Sequence, residues 1–265
     1  MPPDSDGQSN SEFDARGDPA AFVRANTAVE SPPLIPEIRL HLANEVVPIW
    51  EASEAALAEK DLPPPFWAFA WAGGQALARY VLDRPELVAG RRVLDFAAGS
   101  GIQGIAAAKA GARAVTASEI DPFAATAIHL NAALNQVRVE VEPRDLLDEK
   151  AASWDVVLAG DVCYERPMAE RVAHWLARLA AGGTLVLLGD PGRNFLPREV
   201  LEPQTTYRVE TGRELEDSDW RDTTVWRMRR ASAGFAGVVL SPPVARGCLV
   251  SPSSRPLPKT APGVN

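Results

Sequence analysis

Between residues 91 and 190, short apolar runs alternate with longer stretches of helical period. Val93, Leu94 and Phe96 predict a buried strand, and Ala97-Ala98-Gly99-Ser100-Gly101 a small-residue turn. The turn opens an apolar helix through Ile102, Ile105 and Ala106 to Ala108. A second strand is predicted over 114–117. The helix after it starts at Asp121-Pro122 and runs through Ala124, Ala127, Ile128 and Leu134, with proline in its first turn. Residues 137–141 alternate as a third strand. The nearly continuous apolar run 154–159 predicts a central parallel strand buried on both faces. A helix over 167–180 turns Val172, Trp175, Leu176 and Leu179 inward and stops at Ala181-Gly182-Gly183. Residues 184–188 form a fifth strand that runs into Gly189-Asp190-Pro191-Gly192-Arg193. Residues 205–210 and 223–229 then alternate as two further strands around an acidic loop, a pair suited to a sheet edge. Strands alternating with helices predict a doubly wound α/β sheet, with its ligand crevice at the carboxyl ends of the strands.

The N-terminal pattern is less regular. Residues 1–20 are polar and turn-rich and predict a disordered leader. A short helix over 22–30 ends at Ser31-Pro32-Pro33, and 38–42 alternate as a strand with one wet face. Residues 46–50 extend that ribbon, and 51–60 read as a polar, alanine-rich helix. Three prolines, 63–65, then hold the chain extended while Phe66, Trp67, Phe69 and Trp71 crowd together. A helix from about Gly74 to Leu82 follows, burying Leu77, Val81 and Tyr80. From residue 231 small residues and prolines predict a disordered tail. The organisation expected is therefore one domain over 21–230, with 21–72 as a covering segment and 73–230 as the α/β core.

Composition narrows the chemistry. The chain has 265 residues, a formal net charge of −8 and a pI near 5.0, which argue against an electrostatic grip on nucleic acid. Two cysteines give no disulfide framework, and three scattered histidines no metal pattern. No apolar run approaches the roughly 20 residues of a membrane helix, and no secretory signal opens the chain. A soluble, cytoplasmic protein is expected.

The turn Gly99, Gly101, Gly104 fits G-x-G-x-x-G, where glycine lets backbone approach a ligand at a helix N-terminus. Asp95, just before it, sharpens the reading. A carboxylate there would repel a pyrophosphate but suits S-adenosylmethionine, whose methionine end carries an ammonium and a sulfonium. The alternative is that Asp95 caps the next helix. Glu119 ends the second strand about 20 residues after Gly99, where an acid accepts from both ribose hydroxyls, and Asp121 is read as a helix cap. Asp145 follows the third strand as a candidate partner for the adenine amino group, or as an exposed loop acid. Asp161 follows the fourth, as a site acid or as the cap of the next helix. Trp67 and Trp71 are site-wall candidates that read equally well as core. Cys163 reads as packing.

With these motifs in hand, the chain resembles class I S-adenosylmethionine-dependent methyltransferases. More narrowly, it resembles the seven-strand lysine methyltransferases, marked by an acid-x-x-aromatic tetrapeptide after strand four, here Asp161-Val162-Cys163-Tyr164. P-P-L-I-P-E-I-R-L-H-L-A, P-P-P-F-W-A-F-A-W-A-G-G-Q-A-L-A-R-Y, L-D-F-A-A-G-S-G-I-Q-G-I-A-A and A-S-E-I-D-P are similar to the electron transfer flavoprotein beta-subunit lysine methyltransferases. The resemblance covers roughly 22–230. It implies a mostly parallel, seven-stranded Rossmann-like sheet with a small N-terminal extension, S-adenosylmethionine as cofactor and a protein lysine as acceptor. It places Asp95, Gly99 and Gly101 around the methionine moiety and Glu119 on the ribose. Asp145 and Leu146 fall near the adenine, and Trp71 against the cofactor. Asp161 and Tyr164 stand at the acceptor as catalytic residues; Trp67, read from its place beside the glycine pair, is the candidate substrate wall.

Three other functions stay open at this level. One is a methyltransferase for another protein or a small amine, although G-D-V-C-Y stands where adenine and glutamine methylation would use N-P-P-Y. A nicotinamide-dependent oxidoreductase is weakened by Asp95 and by the lack of a Tyr-x-x-x-Lys pair. The third is a non-catalytic module that binds cofactor and a partner protein.

Overall fold

The computed structural model describes residues 18–43, 64–149, 154–212 and 218–230. All of them belong to the first of two units into which the chain divides, Met1–Ala231. The expectations for residues 46–60, for nearly all of the leader and for the tail lie outside the described residues.

A seven-stranded sheet carries the fold. Its strands are β3 (Arg92–Phe96), β4 (Ala114–Ser118), β5 (Glu140–Glu142), β6 (Val156–Gly160), β7 (Leu185–Asp190), β8 (Leu201–Glu210) and β9 (Trp220–Met228). Their order is β5-β4-β3-β6-β7-β9-β8, parallel except for β9, which runs antiparallel to both of its neighbours. The strand order reverses at β3, which lies between β4 and β6. That switch point opens the crevice in which open α/β sheets hold ligands.

The period-two alternation along each strand sorts side chains onto two cores. On one face Val93, Val115, Val156, Leu158 and Leu187 pack under α2 (Ala72–Asp83), α3 (Ile102–Lys109) and α4 (Pro122–Leu134). On the other, Leu94, Phe96, Val157, Val186 and Leu188 meet α5 (Arg166–Ala181). The inward residues of α5, Val172, Trp175, Leu176 and Leu179, are those its helical period predicts, each worth about 1.5–3 kcal/mol when fully buried. Gly182 caps α5, and Gly183 at φ +100° turns the chain into β7.

The N-terminal segment departs from its pattern. The chain folds as α1 (Pro19–Asn26) and then a short ribbon, β1 (Ala28–Glu30) against β2 (Leu40–Leu42), where the sequence predicts one helix over 22–30. β2 has no wet face: Leu40, His41 and Leu42 are all buried. The reason is long-range, because α4 covers the ribbon. Asn131, fully buried on α4, accepts the His41 N–H at 2.7 Å and donates to the Ser100 carbonyl at 2.9 Å. One amide thereby ties the N-terminal ribbon to the glycine turn. Burial, with the Arg24 charge adding to it, keeps the His41 pKa below its ordinary value.

Candidate functional site

The turn after β3 is built from backbone that side chains rarely allow. Ala97, Gly99 and Gly101 take φ of +52°, +53° and +77°, and Gly101 is the N-cap of α3. Asp95 lies at the end of β3, completely buried, with Oδ2 accepting the Gly104 N–H at 2.7 Å. That bond caps α3, the alternative the sequence left open. Oδ1 is buried and has no partner in the protein, so the carboxyl keeps one acceptor for a ligand. Burial pushes the Asp95 pKa well above the usual range; the Gly104 N–H opposes this and the nearby Glu119 charge adds to it.

Glu119 leaves the end of β4 and folds back over the turn. Its Oε2 accepts the Gly99 N–H at 2.9 Å, and its Oε1 the Asp121 N–H at 3.1 Å. Asp121 is the N-cap of α4 and accepts from Phe123 N–H at 2.8 Å. Burial, with Glu119 close by, raises the Asp121 pKa to about 6. Beside them Ile120 is 63% exposed, an open apolar face next to the carboxylate. The sequence reading passed over this residue. Its signal was an apolar side chain between the candidate ribose acid Glu119 and the helix cap Asp121.

At the end of β6 the chain turns through Asp161, a non-glycine residue at φ +58°. The conformation costs roughly 1–2 kcal/mol and is held by three contacts. The Asp161 N–H donates to the Gly189 carbonyl at 2.9 Å, and Oδ2 accepts the Gly74 N–H of α2 at 2.9 Å. Oδ1 pairs with Arg193 Nη2 at 3.0 Å. Asp161 thus does cap a helix, but α2, 87 residues upstream, and not α5 as the sequence alternative had it. Glycines bring α2 this close. A Cβ on Gly73 would collide with the Gly189 carbonyl and lie 2.5 Å from Asp161 Oδ2, and one on Gly160 would lie 2.8 Å from Gly74 N.

The aromatic wall differs from the predicted one. The sequence reading puts Trp67 at the substrate wall. Its indole is only 2% exposed and packs instead among Phe22, Phe69, Ala124 and Ala127, where α1 and α4 enclose it. Trp67 meets the site through backbone, its Cα standing 3.8 Å from where a Cβ on Gly99 would be. The exposed pair is Phe66 and Tyr164, with ring centroids 6.0 Å apart. Trp71 donates to the Phe66 carbonyl at 2.8 Å and stands edge-on to its ring at 5.8 Å. Burial, then the Glu165 and Glu119 charges, raise the Tyr164 pKa, so its hydroxyl stays protonated at neutral pH. Burial pushes the Cys163 thiol up to about 12, which leaves it inert as a nucleophile.

Asp145 sits in the loop after β5, exposed. It accepts the Leu147 N–H at 2.9 Å and pairs with Arg171 at 3.4 Å. Leu146 beside it is 2% exposed and part of the core under α5. The acid that completes the row at the strand ends is Asp190, the last residue of β7, in a motif the sequence reading noted without a role. Its Oδ1 accepts from Gly192 and Arg193 N–H at 2.7 Å each, and its Oδ2 is buried without a partner. A cavity of about 300 Å³ lies between the ribbon, the aromatic turn and the end of β8, and Trp71 and Gln75 line it.

These residues fit S-adenosylmethionine. The glycine turn leaves open backbone over β3, Glu119 offers a bidentate acceptor, and Asp95 Oδ1 is an unsatisfied acceptor beneath the turn. Comparison with known proteins bears on the same region. A family profile of ribosomal protein L11 methyltransferases (PrmA) matches residues 75–189. The electron transfer flavoprotein beta subunit lysine methyltransferase of Xenopus laevis is 37% identical over 214 residues, 78% of this chain and 86% of that protein. The Homo sapiens protein of the same description is 36% identical over 213 residues, 78% of this chain and 80% of that protein. The ribosomal protein L11 methyltransferase of Bordetella parapertussis is 36% identical over 153 residues, 58% of this chain and 44% of that protein.

Proposed function

The chain belongs to the electron transfer flavoprotein beta subunit lysine methyltransferase family and is an S-adenosylmethionine-dependent methyltransferase, and from that premise we propose that its acceptor is a lysine of the electron transfer flavoprotein beta subunit. The observation that carries this reading is the span of the similarity. The L11 profile matches residues 75–189 and the Bordetella parapertussis enzyme 58% of the chain, whereas the Xenopus laevis and Homo sapiens lysine methyltransferases match over 78% of it.

When bound, S-adenosylmethionine supplies a methyl group on a sulfonium, transferred in line to a nitrogen lone pair with loss of a neutral thioether. In this reading Gly99, Gly101 and Asp95 hold the methionine end, and Glu119 accepts from both ribose hydroxyls once its two oxygens turn from Gly99 and Asp121. Ile120 offers an apolar face to the base, and Asp145 and Leu146 border it. Trp71 packs against the cofactor.

The acceptor must be neutral. With a pKa near 10.4, only about one lysine in 2,500 is neutral at pH 7, a cost of roughly 4.6 kcal/mol. Enclosing the amine between the Tyr164 and Phe66 rings favours the uncharged form by desolvation. Asp161 orients the amine and stabilises the positive charge that arrives on nitrogen as the bond forms. Tyr164 adds a hydroxyl and a π-face for that charge. The proton leaves to solvent.

No helix among the described residues is long and apolar enough to cross a membrane. The buried free thiol of Cys163 suits a reducing compartment, and we place the enzyme in the cytoplasm.

The test is methyl transfer from labelled S-adenosylmethionine into soluble extract and into purified electron transfer flavoprotein, followed by mass spectrometry. Methyllysine on the beta subunit is the expected result. Label on ribosomal protein L11 or another protein would overturn the substrate and leave the methyltransferase.

A further inference from the structure

Arg193 is a cation that the reaction as described does not use. Its guanidinium stands 3.0 Å from Asp161 Oδ1 and 5.8 Å from the centre of the Trp71 ring. The pair is largely buried, with side chains 21% and 11% exposed. The loop that carries Arg193 is shaped for this contact: Asp190 Oδ1 gathers the N–H groups of Gly192 and Arg193, and Gly192 turns the chain at φ +94°. The other oxygen of Asp161 takes the Gly74 N–H at the positive end of α2. An amine arriving at this corner therefore meets a carboxylate whose charge is answered on both oxygens.

That matters because a bare carboxylate would hold the amine as ammonium, which has no lone pair to give. The acids Glu119, Glu165 and Asp190 face the same corner and act in the same unfavourable direction, while Tyr164 and Cys163 stay protonated. Arg193 opposes them, with Arg198 acting on Asp190. Resting on the lysine reading above, we propose that Arg193 is a positioning residue: paired with Asp161, it offsets the carboxylate charge so that the acceptor lysine enters as the neutral amine. Asp161 keeps its orienting role without paying for it in protonation.

The experiment is the pH dependence of methyl transfer to the purified flavoprotein beta subunit, from about pH 6.5 to 11 so that the amine's titration is crossed, for wild type, Arg193→Met and Arg193→Lys. A unit charge removed from about 6 Å moves the amine's titration by roughly one to two pH units. Arg193→Met should therefore be about ten- to a hundredfold slow near pH 7, with its rising limb displaced to higher pH and the deficit closing only as pH passes the amine's own titration. Arg193→Lys, which keeps the charge, should return the limb towards its wild-type position. A limb whose midpoint is the same in wild type and Arg193→Met, or no deficit, would overturn the proposal.

If wild type leaves no methyllysine on that protein, the substrate reading falls and Arg193 is judged by titration calorimetry. S-adenosylmethionine carries the sulfonium charge and S-adenosylhomocysteine does not. Arg193→Met should then shift relative affinity several-fold towards the charged ligand, and an unchanged ratio overturns the role.

Discussion

Replacing Gly73 by alanine adds one methyl group at the closest approach of helix and sheet. The new Cβ would collide with the Gly189 carbonyl oxygen and lie 2.5 Å from Asp161 Oδ2 and 2.8 Å from its Cγ. Ordinary carbon–oxygen contact needs about 3.3 Å, so the start of α2 must retreat by about 1 Å. The obstacles are a strand carbonyl and a side chain held by Arg193, neither of which yields cheaply. Retreat stretches the 2.9 Å bond from Gly74 N–H to Asp161 towards 3.9 Å, past hydrogen-bond range. Overpacking costs about 1–3 kcal/mol and the lost charge-assisted bond about 1.5–3, offset by about 1 for alanine in a helix. Net destabilisation should be about 2–5 kcal/mol, read as a lowered urea midpoint. Because Asp161 loses the Gly74 N–H that fixes one of its oxygens, methyl transfer should fall by roughly a hundredfold even where the protein is fully folded. Gly212→Ala, with nothing within 4 Å of its added Cβ, is the control and should be neutral. Stability within 0.5 kcal/mol (about one third of a tenfold change in the equilibrium constant) together with near-normal transfer by Gly73→Ala would refute the argument.

Other substitutions separate the roles of the acids. Glu119→Gln turns a donor towards the Gly99 N–H and loses one ribose acceptor; about 1.5–3 kcal/mol of cofactor affinity should go, raising KM for S-adenosylmethionine some ten- to hundredfold with kcat less affected. Asp161→Asn keeps an acceptor for Gly74 but not the charge; calorimetry should find cofactor binding intact while turnover falls by roughly a hundredfold. Asp121 has a pKa of about 6 when folded against 3.8 in the reference state, so the folded protein binds the extra proton and stability falls as pH rises from about 4 to 6. Asp121→Asn, which can still cap α4, should therefore gain up to about 3 kcal/mol relative to wild type at pH 7.5, and the gain should shrink towards zero at pH 4 in paired urea titrations.

What the sequence made legible was local. The Ala97–Gly101 turn, Glu119 at the end of its strand and Asp121 as a cap each depend on residues a few positions away, or on one strand-to-strand step. The sheet followed from alternation, and the antiparallel edge pair from two late strands. What escaped was contact between distant segments. Gly73, Gly160 and Gly189 have no role assigned from the sequence, and only their meeting shows why no side chain is admitted. Trp67 read as a site wall because it stands among aromatics, but α1 and α4 close over it. His41 read as a wet position because nothing near it in sequence announces that Asn131 will cover the ribbon.

The corner at the ends of β6 and β7 also separates what this fold shares from what makes one enzyme choose a lysine. Asp161 is held in a left-handed conformation by the Gly189 carbonyl, the Gly74 amide and Arg193. A residue fixed from three sides does not wait for its substrate to arrange it, and preorganised charge of this kind is where transition-state stabilisation is largest. Of those contacts, Gly189 lies within 75–189, as does Asp161 itself, and Gly74 and Arg193 lie just outside it. The rings assigned to the acceptor in the proposed function come partly from Tyr164 inside that range and partly from Phe66 and Trp71 before it. Choice of acceptor therefore has its room to vary in the aromatic turn and the ribbon packed behind it. Chemistry can stay fixed at Asp161 while residues 64–71 and the N-terminal segment change with the substrate.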